Sequence, residues 1–360
     1  MNFTNSFTLK ETGEKEEYFV GMNTGHGFIG KYSDIIQEKK LKRLYIIKGA
    51  AGTGKSTLMK RCAIACEEIG YKVSYYRCSS DPDSLDCVVI NDSVSILDGT
   101  KPHSLDMTYP GAVSQLVDVT SFWDSYALRG LRDEIIRITD EKRVAFTDGY
   151  SLLSDISGLA MERYNSSIRF VLLDKLDKYI TRLITSFGKS KGIGERRQVI
   201  IRSVGINGCV RLNTLEHTAS TIIKVNDVYA SAYHFMDMLA GRLTKSGYDI
   251  ITSPDPITPE LICDIFIPQN KTLITLDSSL NADKQINMIR FVDTVKLSET
   301  RGIMRLSLKC SEALLSEAVN VFKNAGKAHF KLEQIYSSAM DFGSLNTYVE
   351  ELNNRIISEL

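Results

Sequence analysis

The run Gly49-Ala50-Ala51-Gly52-Thr53-Gly54-Lys55-Ser56-Thr57 sets three glycines, then a lysine followed by two hydroxyl residues, in the spacing G-x-x-x-x-G-K-[ST]. Residue types in this order suit one task, the binding of a polyphosphate. Glycines leave room for backbone N–H groups to turn inward around an anion, and the start of a helix adds its positive end. Lys55 then reaches the β- and γ-phosphates, the Ser56 hydroxyl sits on Mg²⁺, and Thr57 touches the α-phosphate. Gly49, Ala50, Ala51, Gly52, Thr53, Gly54, Lys55, Ser56 and Thr57 are therefore the expected nucleotide-binding residues. A glycine turn without a ligand is the alternative.

A metal ion between phosphates asks for a second hard ligand at the end of a buried strand. Val94-Ser95-Ile96-Leu97-Asp98 has that form and makes Asp98 the expected partner of Ser56 on Mg²⁺, although an Asp also opens plain turns such as Asp98-Gly99-Thr100. No Glu follows Asp98 to act as an obvious hydrolytic base. The acidic, hydroxyl-rich run Cys78-Ser79-Ser80-Asp81-Pro82-Asp83-Ser84-Leu85-Asp86 follows the strand-like Val73-Ser74-Tyr75-Tyr76-Arg77. At the carboxyl end of a strand, Asp81, Ser84 and Asp86 are candidates to orient water or a phosphate acceptor, while the same types also build turns and N-caps. Lys55, Asp98 and Asp86 form the expected catalytic set. His103 is a further candidate, and Thr24-Gly25-His26-Gly27-Phe28 is either a glycine turn or a segment folded over a base.

These side chains require a strand, a loop and a helix in sequence. Leu44-Tyr45-Ile46-Ile47-Lys48 is β-rich, and the apolar positions 58, 59, 62, 63, 66 and 69 follow helical spacing, with Gly70 placed to end the helix. Helical patterns then cover 128–139, 142–164 and 167–187 until the glycine-rich, charged stretch 188–197 breaks them. A boundary there predicts domains at 1–190 and 191–360.

Beyond the boundary the chain repeats itself at a separation of about half its length. Ile222-Ile223-Lys224 echoes Ile46-Ile47-Lys48, Ser246-Gly247-Tyr248 echoes Ile69-Gly70-Tyr71, and Leu273-Ile274-Thr275-Leu276-Asp277 stands for Val94 to Asp98. Ser253-Pro254-Asp255-Pro256 falls near the place of Ser79-Ser80-Asp81-Pro82, and 306–360 answers 128–187. The second loop reads Val225-Asn226-Asp227-Val228-Tyr229-Ala230-Ser231-Ala232-Tyr233, with no glycine and no lysine before a hydroxyl. Val228 and Tyr229 are expected to fill the phosphate's space, leaving only the first half able to bind nucleotide. Arg196, Arg197, Arg202 and Arg211 are possible charge donors if the halves face each other.

Together, the residues Gly49 to Thr57, Cys78 to Asp86, Leu97-Asp98-Gly99-Thr100 and Pro110-Gly111-Ala112-Val113 resemble a bacterial family of tandem P-loop ATPases, also described as nucleotide-kinase-like. The resemblance spans nearly the whole chain and implies ATP as the nucleotide, although no motif of the residues themselves reads adenine over guanine. The expected fold is α/β, with two similar P-loop NTPase-type parallel-sheet halves, each with a helical addition. Members commonly keep a glycine-lysine loop in both halves, so the second loop departs from the pattern. The expected activity is Mg²⁺-dependent ATP hydrolysis by the N-terminal half. A small-molecule or nucleotide kinase, and an ATP-binding regulatory protein with very slow turnover, are the alternatives.

Composition narrows the partners. Of 360 residues 43% are apolar, enough for sizeable cores, and 44 Lys plus Arg balance 44 Asp plus Glu. Without a net positive field, neither a nucleic acid nor an anionic membrane is an expected partner, and the basic residues of 188–197 read as linker. No apolar run is long enough to span a bilayer, and the polar N-terminus lacks the apolar segment of a secretory signal, so a cytoplasmic location is expected. Seven cysteines without a C-x-x-C pair and five scattered histidines give no soft-metal spacing. Cys62 and Cys66, four apart on one helix face, are expected to be core.

Overall fold

The computed structural model describes residues 8–13, 15–100, 106–188 and 190–360; His103 lies outside the described residues. The first half runs β1 (Thr8–Lys10), β2 (Glu16–Phe19), β3 (Gly21–Thr24), β4 (Gly27–Gly30), α1 (Tyr32–Ile35), β5 (Arg43–Lys48), α2 (Lys55–Glu68), β6 (Val73–Arg77), β7 (Leu85–Ile90), β8 (Val94–Asp98) and β9 (Ser114–Asp118). Helices α3 (Ser125–Gly130), α4 (Arg132–Ser167) and α5 (Leu173–Ser186) follow. The chain continues with β10 (Arg196–Gln198), β11 (Arg202–Gly205), β12 (Gly208–Leu212), α6 (Thr214–Thr218), β13 (Thr221–Asn226), α7 (Ser231–Lys245), β14 (Ile250–Pro254), β15 (Ile262–Ile267), β16 (Thr272–Thr275) and β17 (Lys284–Asn287). It ends in α8 (Thr294–Ser338) and α9 (Phe342–Glu359).

The fold is α/β, and two six-stranded sheets carry it, in the orders β2-β6-β7-β8-β5-β9 and β10-β14-β15-β16-β13-β17. Both sheets are mixed. Strand β7 runs against β6 and β8, and β15 against β14 and β16, while the remaining pairs are parallel. This corrects the expectation of parallel sheets, and the cause is local. Asn91 and Asp92 take positive φ in a tight turn that folds β7 onto β8, and Lys271 does so between β15 and β16. A parallel connection would need a crossover of roughly a dozen residues or more.

Strands buried on both faces read as unbroken apolar runs. In β5, Leu44 and Ile46 join Val210, Phe266 and Leu273 in a core between the two sheets. Tyr45 and Ile47, one residue out of phase, meet Leu58, Met59, Cys62, Ala63 and Cys66 of α2 on the other face. Cys62 and Cys66 are thus core residues, and burial pushes the Cys62 thiol up to about 12.

The outer helices are exchanged between the sheets. Leu345, Val349, Leu352 and Ile356 of the C-terminal α9 pack beside α2 on the first sheet. Leu176 and Ile180 of α5 pack with α7 on the second. Helices α4 and α8 lie antiparallel, with Arg163 bonded to Ser307 and Ser311 at one end and Ile138 packed on Ala328 and Leu332 at the other. The expected helix 128–139 begins in α3 and, after a break at Leu131, continues in α4, which also takes in the expected 142–164 because nothing between 139 and 142 breaks a helix. Among the described residues no helix is long and apolar enough to cross a membrane.

Candidate functional site

Strand β5 delivers the chain to Gly49, and α2 begins at Lys55. The turn between them holds Gly52 at φ +74° and Gly54 at φ +84°, where other residues are strained. Inside the loop the Thr53 hydroxyl donates to the Ala50 carbonyl at 2.9 Å, and the Lys55 ammonium donates to the same oxygen. Gly54 brings no side chain to cap α2. The first-turn N–H groups have no acceptor within a helix, so the start of α2 leaves them without a side-chain partner from the N-cap residue.

Strand β8 pairs directly with β5, Asp98 opposite Ile47, so its carboxylate emerges at the same sheet edge as the loop. Asp98 accepts the Thr100 N–H at 2.8 Å with Oδ1, while Oδ2 lies 3.6 Å from the Lys55 ammonium. The Thr100 hydroxyl donates to the Gly49 carbonyl at 2.9 Å and ties the two strand ends together. Ser56 Oγ accepts the Leu85 N–H at 2.9 Å, which brings Asp86 alongside. Asp86 is buried, and burial first, then the Asp98 charge, raises its carboxyl to about 8, against the bond from Cys78 and the charge of Lys55. A carboxyl of this kind keeps its proton at neutral pH.

The Ser56 hydroxyl and the Asp98 carboxylate are hard oxygen donors of the kind Mg²⁺ takes while keeping waters and phosphate oxygens. They fit that ion. Among the described residues no group of three or more His, Cys, Asp or Glu is placed to hold a metal unaided. The phosphates would complete the shell.

The acidic loop 78–86 is steadied by the hairpin β11–β12. Ser203 Oγ donates to the Ser79 carbonyl, and the Ile206 N–H donates to the Ser80 carbonyl at 2.9 Å. Asp81 turns its carboxylate to the Ser84 hydroxyl at 2.6 Å and the Asp83 N–H at 3.3 Å, so it shapes the turn that aims Asp86.

Loop, Asp98 and acidic segment line one cavity of about 1350 Å³. Its facing wall comes from Thr139, Lys142, Phe146 and Tyr150 of α4, spaced to share one helix face, and from His329 and Glu333 of α8. The Lys142 ammonium lies 3.1 Å from His329 Nδ1, and His329 Nε2 lies 3.4 Å from Glu333 Oε1. Burial lowers Lys142, and the bond from His329 lowers Glu333. Helix α8 touches the loop itself, since a Cβ on Gly52 would stand 2.4 Å from the Glu333 carbonyl oxygen. The sequence pattern did not single out Lys142, His329 or Glu333, because charged residues on a long helix look alike until its facing helix is known.

Several expected contributors lie elsewhere. Arg202 is buried between Asp264 and Asp277, and Arg211 pairs with Asp277 at 3.1 Å and Glu216 at 2.8 Å. Arg196 donates to the Thr252 hydroxyl, and Arg197 stacks over Tyr18. None of the four lines the cavity, because β10 to β12 place them in or between sheets. Thr24 to Phe28 forms the β3–β4 turn, closed by the Thr24 hydroxyl on the Gly27 carbonyl at 2.9 Å, and is not part of the cavity wall.

In the second sheet, β13 leads into Asp227 and α7 begins at Ser231, so four residues, 227–230, join them where six, 49–54, stand in the first. The Asp227 carboxylate accepts the Ala230 and Ala232 N–H groups, each at 2.8 Å. Val228 and Tyr229 instead pack against the core, so the expected plug is replaced by a carboxylate. The register also shifts one expectation. Aligned at their ends, Lys48 of β5 and Asn226 of β13, the strands set Lys224 in the place of Ile46, so the echo of Ile46-Ile47-Lys48 in Ile222-Ile223-Lys224 is two positions out of register. Thr275 pairs with Lys224 as Leu97 pairs with Ile46, and Leu276 is the counterpart of Asp98, with Asp277 one position beyond.

Comparisons of the sequence with family models and with curated proteins, and of the structure with solved structures, return no significant match.

Proposed function

We propose that the N-terminal half binds ATP with Mg²⁺ and hydrolyses it, within two similar P-loop-type halves of which the second is degenerate. The carrying observation is the contrast between two helix starts. Helix α2 presents Lys55 and capless amides to a large cavity beside Asp98, whereas α7 is capped by the chain's own Asp227. Support for the paired halves comes from the shared strand order and the matching place of the reversed strand.

In this reading the loop amides hold the phosphates in line, and Lys55 neutralises charge on the β- and γ-phosphate oxygens. Ser56 and Asp98 would hold Mg²⁺, which when bound supplies further positive charge to those oxygens. Asp86, protonated below about pH 8, donates a hydrogen bond to phosphate or water and accepts a proton only above that pH. A cytoplasmic site of action fits an ATP-using chain whose seven cysteines are unpaired.

One observation favours phosphotransfer to a small molecule. The cavity of about 1350 Å³ exceeds the roughly 300–1,000 Å³ usual for a single ligand and leaves space for an acceptor. ADP release with and without nucleoside and sugar acceptors separates the readings. Release without an acceptor supports hydrolysis, and release only with one supports a kinase.

A further inference from the structure

Helix α8 belongs to the half whose own loop is capped, yet it reaches the other half's cavity. There His329 lies between Lys142 and Glu333, at 3.1 Å and 3.4 Å. An ammonium only donates, so His329 Nδ1 accepts from Lys142 and its proton stays on Nε2, directed at the Glu333 carboxylate. Lys142 thereby faces the cavity bonded to an imidazole rather than to a carboxylate. Among the described residues it has no carboxylate within ion-pair distance. A half-buried ammonium with no carboxylate on it is suited to an incoming anion. Lys55 is close enough to act on both Lys142 and Glu333, so the two ammonium groups share one electrostatic neighbourhood.

We infer that Lys142 is the second cation on the terminal phosphate of the bound nucleotide, held by His329 and Glu333 as positioning residues, so that the degenerate half completes the site of the active one. The inference rests on the ATP reading above. Lys142 takes the place for which the four arginines were considered, stabilising charge on the transferring group. As the bond from the γ-phosphorus to the ADP oxygen breaks and the bond from water forms, the water's proton leaves to the phosphate product.

The test compares ATP affinity, ADP affinity and turnover in wild type, Lys142→Met, Lys142→Gln, Lys142→Arg and Glu333→Gln, with thermal melting alongside. Removing one charge-stabilising group at a transition state costs roughly 10²–10³ in kcat. That loss is expected in Lys142→Met and Lys142→Gln, with ATP affinity weakened more than ADP affinity. Lys142→Arg is expected to recover most of the turnover, and Glu333→Gln to lower kcat with little change in KM. Hydrolysis that is lost in Lys55→Ala yet unchanged in both neutral Lys142 variants overturns this inference and leaves the ATPase reading standing. A wild-type chain that binds neither nucleotide overturns both.

Discussion

Asp227 accepts the Ala232 N–H at 2.8 Å and so fills, from within the chain, the place at the start of α7 that Gly54 leaves open at the start of α2. Burial pushes the Asp227 carboxyl up, and bonds from the Ala232, Ala230 and Val228 amides pull it down. Replacement of Asp227 by Ala is expected to cost about 1–2 kcal/mol, as for the loss of a helix N-cap. Denaturant unfolding reads the loss. Nucleotide affinity should stay at the wild-type value, since Asp227 stands outside the first cavity.

Gly52→Ala combines two effects at one position. A left-handed φ of +74° costs an L-residue about 1–2 kcal/mol, and the added Cβ would press on the Glu333 backbone. Gly70→Ala is the control, with φ +92° but open space around it. Both variants should lose stability, while only Gly52→Ala should lose nucleotide affinity, in a titration with labelled ATP. Equal affinities would mean that the contact with α8 has no bearing on the loop.

The pH dependence of stability has a definite sign at Asp86. Its carboxyl stands at about 8 in the folded chain, raised from 3.8 chiefly by burial and then by Asp98. Between those values the unfolded chain has released a proton that the folded chain retains, so stability falls as pH rises. The contribution is fully present below 3.8 and gone above about 8. Unfolding at pH 5 and pH 8 should therefore show wild type losing more stability over this interval than Asp86→Asn. Equal slopes would contradict the burial argument.

Arg202 makes a different kind of prediction. It is 1% exposed and is held by Asp264 and Asp277. Removing one partner from a buried ionic network leaves uncompensated charge and costs about 3–5 kcal/mol. Arg202→Ala is thus expected to lower the melting temperature sharply, and folded protein recovered at low temperature should bind nucleotide normally. A selective loss of turnover without a loss of stability would return Arg202 to the site.

The local pattern made part of this legible. An apolar run, a glycine loop, helical spacing and Gly70 mark β5 to α2, and Val73 to Arg77 and Val94 to Asp98 are strands as read from their β-rich composition. Short-range patterns could not reveal the direction of β7, which depends on positive φ at Asn91 and Asp92. Nor could they reveal the far wall of the cavity. Lys142 and His329 are separated by 187 positions and meet only because α4 and α8 lie antiparallel. Asp227 was visible as a residue, but its role depends on the shorter turn that brings its carboxylate onto the α7 amides.

The most direct test of the central claim is the stoichiometry of ATP binding in the presence of Mg²⁺, measured by titration calorimetry on the intact chain and on Lys55→Ala. One nucleotide per wild-type chain and none per Lys55→Ala chain is the predicted result. Two nucleotides per chain, or binding that survives in Lys55→Ala, would contradict it.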